Sequence, residues 1–358
     1  MIVKDEAHVI ARCLRSIKPL ISGWCITDTG SSDNTAEIIR KELEGIPGEL
    51  HSREWKGFGQ SRNESIVLAS EFAAGKSISH LLTIDADDML EFKEDFKLPP
   101  LVHDSYEIKI RYGGSEYERT HIFRASMDFQ YVGAYHEYLK TPPGANKETL
   151  SGVRMMIVGG GARSLNPQKY RDDAEGLEAE LLKEPNNPRY MFYLGQSWRD
   201  AGEPEKAIAA YEKRTLMGGF PEEIYFSLLE IGKLLNHLDG DPEKIMAAYL
   251  KAYEYRPTRI ESLFWLARYL RFKNRFALAA VFAQTAMEAV KPGDKLFVTA
   301  DIYEWRALDE YAISVYYRGE YEKALKANES LLSKAPMQQI PRIMQHIKFC
   351  NNNLRKEG

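Results

Sequence analysis

The stretch 80-HLLTIDADDML-90 decides how the first half of this chain is read. Leu81, Leu82, Thr83 and Ile84 form a short, mostly apolar run of the kind that makes a buried strand. The run breaks into Asp85-Ala86-Asp87-Asp88, so three carboxylates crowd the strand's end. Two readings are open there. A Mg²⁺ or Mn²⁺ ion is hard, takes oxygen ligands, and commonly uses one or two carboxylates while phosphates complete its shell. Neighbouring carboxylates repel one another, and a cation beside them is stabilised. In the other reading, "ADDMLEF" (86–92) opens a helix and the acids cap it.

Working outward, the pattern recurs. "GWCITDTGS" (23–31) reads as a strand running into a turn at Asp28. Gly30 permits a tight turn, and Ser31, Ser32, Asp33 and Asn34 offer caps to the next helix. "NTAEIIRKELEGI" (34–46) places Ala36, Ile39 and Leu43 at helical spacing, with Gly45 near the end. "SRNESIVLASEFAAG" (61–75) predicts another helix, headed by Arg62 and Asn63. "SYEIKIRYGG" (105–114) alternates with period two, as a half-buried strand does. Strands alternating with helices predict an α/β domain over 1–165 with a largely parallel, Rossmann-like sheet. Ligands of such sheets sit beyond the carboxyl ends of the strands, where Asp28 and Asp85–Asp88 fall. Further on, 118-ERTHIFRASMDFQYVGAYHEYL-139 gathers His121, Arg124, His136 and Glu137 among aromatics. Glu137 could take a proton from a nucleophile, and His136 could ligate metal or orient a phosphate.

From Asn166 the pattern changes to helix throughout. Stretches 190–214, 266–292 and 311–336, with a weaker copy at 225–257, repeat small residues at similar offsets, and the last three copies in chain order close on Pro257, Pro292 and Pro336. Gly195, Gly202, Ala207 and Tyr211 mark the first; Ala312, Gly319, Ala324 and Pro336 mark the last. A period in the mid-thirties predicts tetratricopeptide-like helical hairpins over 166–358. Stacked hairpins offer a surface for a peptide, a protein partner or a second copy of the chain.

The bulk properties narrow the function classes. The chain has 358 residues, 44% of them hydrophobic, enough for two domains with cores. A net charge of −4 does not advertise nucleic acid as a partner. No apolar run reaches the length of a membrane span. Cys13, Cys25 and Cys350 are scattered without a CxxC pair, which suits a reduced, cytoplasmic setting rather than a disulfide framework. The chain opens on "MIVKDE", which reads as the end of a strand, so the first strand is either very short or begins late.

Taken in order, "MIVKDEAHVIARCLRSI", "DTGSSDNTAEII", "SRNES", "LLTIDADDML" and "YVGAYHEYL" resemble the family 2 glycosyltransferases of GT-A fold. The following "KYRDDAEGLEAEL" and the repeats resemble the subgroup with C-terminal tetratricopeptide repeats, which includes the sublancin-type peptide S-glycosyltransferase. The resemblance implies a UDP-linked nucleotide-sugar donor, a Mg²⁺ or Mn²⁺ cofactor, and a peptide, protein or glycan acceptor. It implies that Val3 and Glu6 line the base pocket, that Asp28 meets uracil or ribose, and that Arg62 meets the base or a phosphate edge. It makes Asp85 and Asp87 the DxD pair, Asp87 foremost for the metal, with His136 as a third ligand. Glu137 or His136 becomes the base of an inverting displacement. Two features depart from the wider family: Thr29 follows Asp28 where many members carry paired acids, and the first strand is clipped. Two other readings compete. One is an inactive, repeat-based adaptor. The other is a nucleotidyltransferase, which is disfavoured because no glycine-rich phosphate loop follows the first strand.

Overall fold

The computed structural model describes residues 1–112 and 115–357. The chain divides into two compact units, Met1–Leu177 and Glu178–Gly358. The sequence predicts a boundary at 165, whereas the division falls inside a helix, α4 below.

In the first unit, β1 (Ile2–Val3) leads to α1 (Ile10–Ile17), β2 (Trp24–Asp28), α2 (Thr35–Glu42), β3 (Gly48–Ser52) and α3 (Phe58–Gly75). Helix α1 forms because Ile10, Cys13, Leu14 and Ile17 lie on one face, and all four are buried. Strands β1, β2 and β3 make a small parallel sheet in that order. Next come β4 (His80–Leu82), β5 (Met89–Phe92), β6 (Ser105–Tyr112), β7 (Ser115–Arg124), β8 (Gln130–Val132), β9 (Tyr138–Lys140) and β10 (Lys147–Met156). A second sheet has the order β4-β7-β6-β10-β5, and β8 and β9 pair as a separate ribbon.

Two sequence expectations change here. The second sheet is mixed rather than largely parallel. β6 ends at Tyr112 and β7 begins at Ser115, and so short a link allows only antiparallel pairing. β10 pairs parallel with β6 and antiparallel with β5. Gly113 and Gly114, at the end of the alternating stretch, lie outside the described residues. The second change concerns "ADDMLEF": it turns at Ala86–Asp87 and enters β5, so Asp88 has no helix to cap. The alternation of β6 holds, with Tyr106, Ile108 and Ile110 buried.

The core of this unit gathers α1, β2, β5, β6 and β10 around Leu14, Ile26, Leu90, Ile108 and Met155. It also holds a cavity of ≈ 630 Å³ between the two sheets.

Helix α4 (Lys169–Lys183) carries the chain into the second unit, which has helices and no strands among the described residues. It contains α5 (Pro188–Asp200), α6 (Pro204–Thr215), α7 (Pro221–His237), α8 (Pro242–Tyr255), α9 (Glu261–Phe272), α10 (Phe276–Met287), α11 (Ala307–Tyr317), α12 (Tyr321–Leu331) and α13 (Ile340–Glu357). Consecutive helices pack as the hairpins α5–α6, α7–α8, α9–α10 and α11–α12, at the four places where the repeat was read. Proline occupies the first turn of α5 to α8, where its missing N–H costs nothing. Glycines make room for close packing. A Cβ on Gly195 or on Gly232 would stand 2.7 Å from the ring of Tyr211 or Tyr249. Arg214, fully buried, reaches from α6 to Glu223 on α7 at 2.9 Å.

Candidate functional site

Every residue expected to act lies in the first unit, at the ends of β1, β2 and β4, in the first turns of α3 and in the β8–β9 turn. The turn after β2 is built first by its own polar groups. Asp28 Oδ1 accepts the N–H groups of Gly30 (3.0 Å) and Ser31 (2.8 Å). The loop after β1 is knitted to it: Asp5 accepts Ser32 N–H, Glu6 N–H donates to Thr35 Oγ1, and Ala7 N–H donates to Asp33. Asp28 therefore holds the turn with one oxygen. Its other oxygen receives no hydrogen bond among the described residues.

Arg62 stands one turn inside α3 and joins two of the expected residues. It donates to Asp85 Oδ1 at 2.8 Å and to Glu137 Oε1 at 2.6 Å. Its guanidinium lies 5.3 Å from the centre of the Tyr131 ring. Burial alone would lower the pKa of this guanidinium, but Asp85, Tyr131 and Glu137 outweigh it and the pKa rises. Burial likewise works against the Asp85 carboxylate, and Arg62 outweighs it, so that pKa falls. Both partners are thus held charged. The neighbouring Asn63 fixes the ribbon by exchanging bonds with Tyr131, donating at 2.9 Å and accepting at 2.7 Å. This contact requires glycines: a Cβ on Gly59 would lie 2.2 Å from the Gly133 carbonyl, and Gly133 has φ 108°. The same turn holds His136 in the left-handed region at φ 51°, rare for a non-glycine residue.

Asp87 faces a different group. Its Oδ2 accepts Gly161 N–H at 3.1 Å, and Glu6 accepts Ala162 N–H at 3.2 Å. The two carboxylates converge, since a Cβ on Gly161 would meet Asp87 at 2.9 Å and Glu6 at 3.2 Å. Burial raises the Glu6 pKa, and the Asp87 charge adds to it. Arg12 pins the arrangement through the Asp87 carbonyl at 2.7 Å. Glu6 therefore belongs with Asp87 rather than with Val3. The Val3 side chain is buried in the core, and its carbonyl accepts Thr29 N–H. Asp88 is buried beside these acids, and burial, then Asp85 and Asp87, push its carboxyl up to about 7.

The fit to a divalent ion can be tested on these contacts. No three His, Cys, Asp or Glu side chains among the described residues are arranged to hold a metal alone, so His136 does not complete a set with Asp85 and Asp87. Asp87 nevertheless keeps one carboxylate oxygen without a hydrogen bond among the described residues, next to the like charge of Glu6. A hard ion that takes one or two protein carboxylates and completes its shell with phosphate and water suits that donor set.

Sequence reasoning missed Gly161 and Arg163. Arg163 lies 4.3 Å over the Phe58 ring, pairs with Asp173, and feels the charge of Glu137. The glycine run Gly159-Gly160-Gly161 was the available signal. Its role depends on a contact 74 residues away, which local pattern does not reveal.

No protein-family model matches the chain. A TPR repeat-containing protein of Synechococcus elongatus is 26% identical over 310 residues, 81% of this chain and 74% of that protein. The SPbeta prophage-derived glycosyltransferase SunS of Bacillus subtilis is 26% identical over 232 residues, 60% of this chain and 51% of SunS. The chain thus matches about half the length of SunS. Among solved structures, the C-terminal part of a TPR repeat-containing protein from Cytophaga hutchinsonii overlaps 53% of the chain and 68% of its own, at 17% identity and TM-score 0.43. MamA overlaps 46% of the chain and 88% of its own, at 16% identity and TM-score 0.39. No helix among the described residues is long and apolar enough to cross a membrane. The chain is distantly similar both to a glycosyltransferase and to a TPR repeat protein, and its second unit is a TPR-like helical repeat.

Proposed function

We propose that the chain is a metal-dependent, inverting glycosyltransferase with a GT-A-like first unit. It moves a sugar from a UDP-linked donor to a peptide, protein or glycan acceptor. The observation that carries this reading is the acidic turn after β4: Asp85 shares Arg62 with Glu137, while Asp87 and Glu6 converge on Gly161. The distant similarity to SunS supports it.

The residue types suit the tasks. Asp87, with Asp85, would hold Mg²⁺ or Mn²⁺, which when bound supplies positive charge to the departing diphosphate. Arg62 presents a planar guanidinium suited to a phosphate or the uracil edge. Asp28 offers its open oxygen to base or ribose. The acceptor attacks the anomeric carbon from the face opposite the diphosphate. Its bond forms as the carbon–oxygen bond to the diphosphate breaks, and its proton passes to Glu137. Arg62 links the steps: when it turns to the donor it releases Glu137.

A second reading, an inactive repeat-based adaptor, is favoured by one observation. The TPR repeat protein aligns over a larger share of this chain than SunS does. One experiment separates the two. UDP should raise the melting temperature only when Mg²⁺ or Mn²⁺ is present, by mass action on the folded state. Asp87→Ala should abolish that shift and all UDP-sugar hydrolysis and transfer while the far-UV spectrum is kept. No shift with any nucleotide supports the adaptor, and full metal-dependent activity in Asp87→Ala sinks the assignment of that residue.

A further inference from the structure

One link of the second unit departs from the repeat. Five residues, 216–220, join α6 to α7, and five, 256–260, join α8 to α9. Twelve, 288–299, run between α10 and the helical turn that leads into α11. The longer link folds back as a strap over the first turns of α7 and α9. Arg256 donates to the Asp294 carboxylate at 2.6 Å, and Arg259 donates to the same carboxylate at 3.3 Å. Arg259 also donates to the carbonyls of Leu296 (3.2 Å) and Phe297 (3.3 Å). Glu222 accepts the N–H groups of Lys295 and Leu296, and Glu261 accepts that of Thr299. The Phe297 ring lies 4.7 Å from that of Phe226 on α7, which in turn meets Phe192 on α5.

We propose that this strap is an exchangeable occupant of a peptide-docking groove, and that a partner peptide carrying an acidic residue and, three positions on, an aromatic one displaces it. The two other links show that five residues suffice to join successive hairpins, so the added length serves the strap. The cradle beneath is built without it. Glu261 holds the fully buried Arg259 and accepts from the hydroxyls of Tyr225 and Tyr303. Those bonds stay when the strap leaves, and a preformed cradle lowers the cost of binding. It reads a peptide main chain: Arg259 serves carbonyls, while Glu222 and Glu261 serve N–H groups, which require acceptors once buried. Its side-chain preferences are those of the strap, a carboxylate for Arg256 and Arg259 and a ring for Phe226. The strap itself is held loosely. None of residues 288–299 is buried, and Phe297 is 48% exposed with φ 50°, a conformation rare for a bulky side chain. Segments with so little buried surface open at low cost.

The probe is the peptide Gly-Asp-Lys-Leu-Phe-Val-Thr-Ala, the sequence of residues 293–300. A tethered strap competes with it at high effective concentration, and the peptide's apparent affinity falls with the fraction of chains whose groove is open. The full chain carrying Asp294→Asn and Phe297→Ser should therefore bind the labelled peptide at least about tenfold more tightly than the unaltered chain does, by fluorescence anisotropy. A peptide with the same two substitutions should bind neither chain. Equal affinity of the two chains, or equal affinity of the two peptides, overturns the proposal. In the unaltered chain, a large excess of peptide should speed exchange at the Lys295, Leu296 and Thr299 amides at least about tenfold. Unchanged exchange overturns the proposal whether or not the variant folds. If the unaltered chain sediments as a dimer that the two substitutions dissolve, the groove belongs to a second copy's strap and the proposal fails.

Discussion

Arg62 shows how one cation can set the state of a whole site. It stands between Asp85 and Glu137 and is flanked by Tyr131, so the two carboxylates share one positive charge before any ligand arrives. Removing it would leave two carboxylates uncompensated, and breaking a buried pair typically costs about 3–5 kcal/mol. Arg62→Met should therefore lower stability, by less than that because Asp85 is only half-buried, and should weaken UDP binding. Urea unfolding and nucleotide titration read the two effects. Glu137→Gln should lower turnover by about 10²-fold or more while UDP affinity changes little; comparable losses in both would remove Glu137 as the base. His121 adds a pH dependence. Its Nδ1 bonds the Thr83 carbonyl, and burial above all pushes its pKa down from 6.5 to about 4. The folded chain then keeps the ring neutral where the unfolded chain would protonate it. The stability so gained is complete above the unfolded value and is lost as pH falls from 6.5 toward 4. His121→Gln should flatten that part of the acid slope by up to about 3 kcal/mol between pH 7.5 and pH 4, measured by urea unfolding at each pH. Asp28, Arg62, Asp85, Asp87 and Glu137 were all legible as polar residues at strand or helix ends. Their partners were not, because Arg62 and Glu137 are 75 residues apart and meet where α3 docks on the ribbon through Asn63–Tyr131 and the Gly59–Gly133 contact.

The helical hairpins show what a repeat preserves. In all four, the turn closes with a residue in the left-handed region: Gly202, Asp239, Asn274 and Gly319. In each, the next N–H reaches back five residues, Glu203 to Trp198, Gly240 to Leu235, Arg275 to Leu270 and Glu320 to Val315. This is the Schellman closure, which satisfies carbonyls at a helix end. In the second and third copies Asp and Asn, which tolerate this conformation, stand where the first and fourth carry glycine. Asp239→Gly and Asn274→Gly should each stabilise the chain by up to about 1 kcal/mol, and Gly202→Ala should cost about as much. Gly195→Ala and Gly232→Ala should cost about 1–3 kcal/mol each, since a ring must move. Thermal melts of these five variants test the scheme. The helices were legible from spacing, whereas the mixed sheet was not. A strand pattern of period two records which face is buried, not which neighbour lies beside it.

Each of the two units has its own core, around Leu14 and Ile108 in the first and around Tyr225 and Leu266 in the second. Units of this kind can unfold as separate steps. Calorimetry should resolve two transitions, and UDP with Mn²⁺ should move only one of them. A single transition that moves as a whole would count against independent units. The sequence by itself determined the α/β first half, the repeat in the second, and the acidic strand ends, because these depend on periodicity and on residue type along a short stretch. Only the tertiary structure decided that Asp85 shares Arg62 with Glu137 and that Asp87 and Glu6 converge on Gly161. Those facts depend on contacts between residues dozens of positions apart, which chain packing creates and local pattern does not encode.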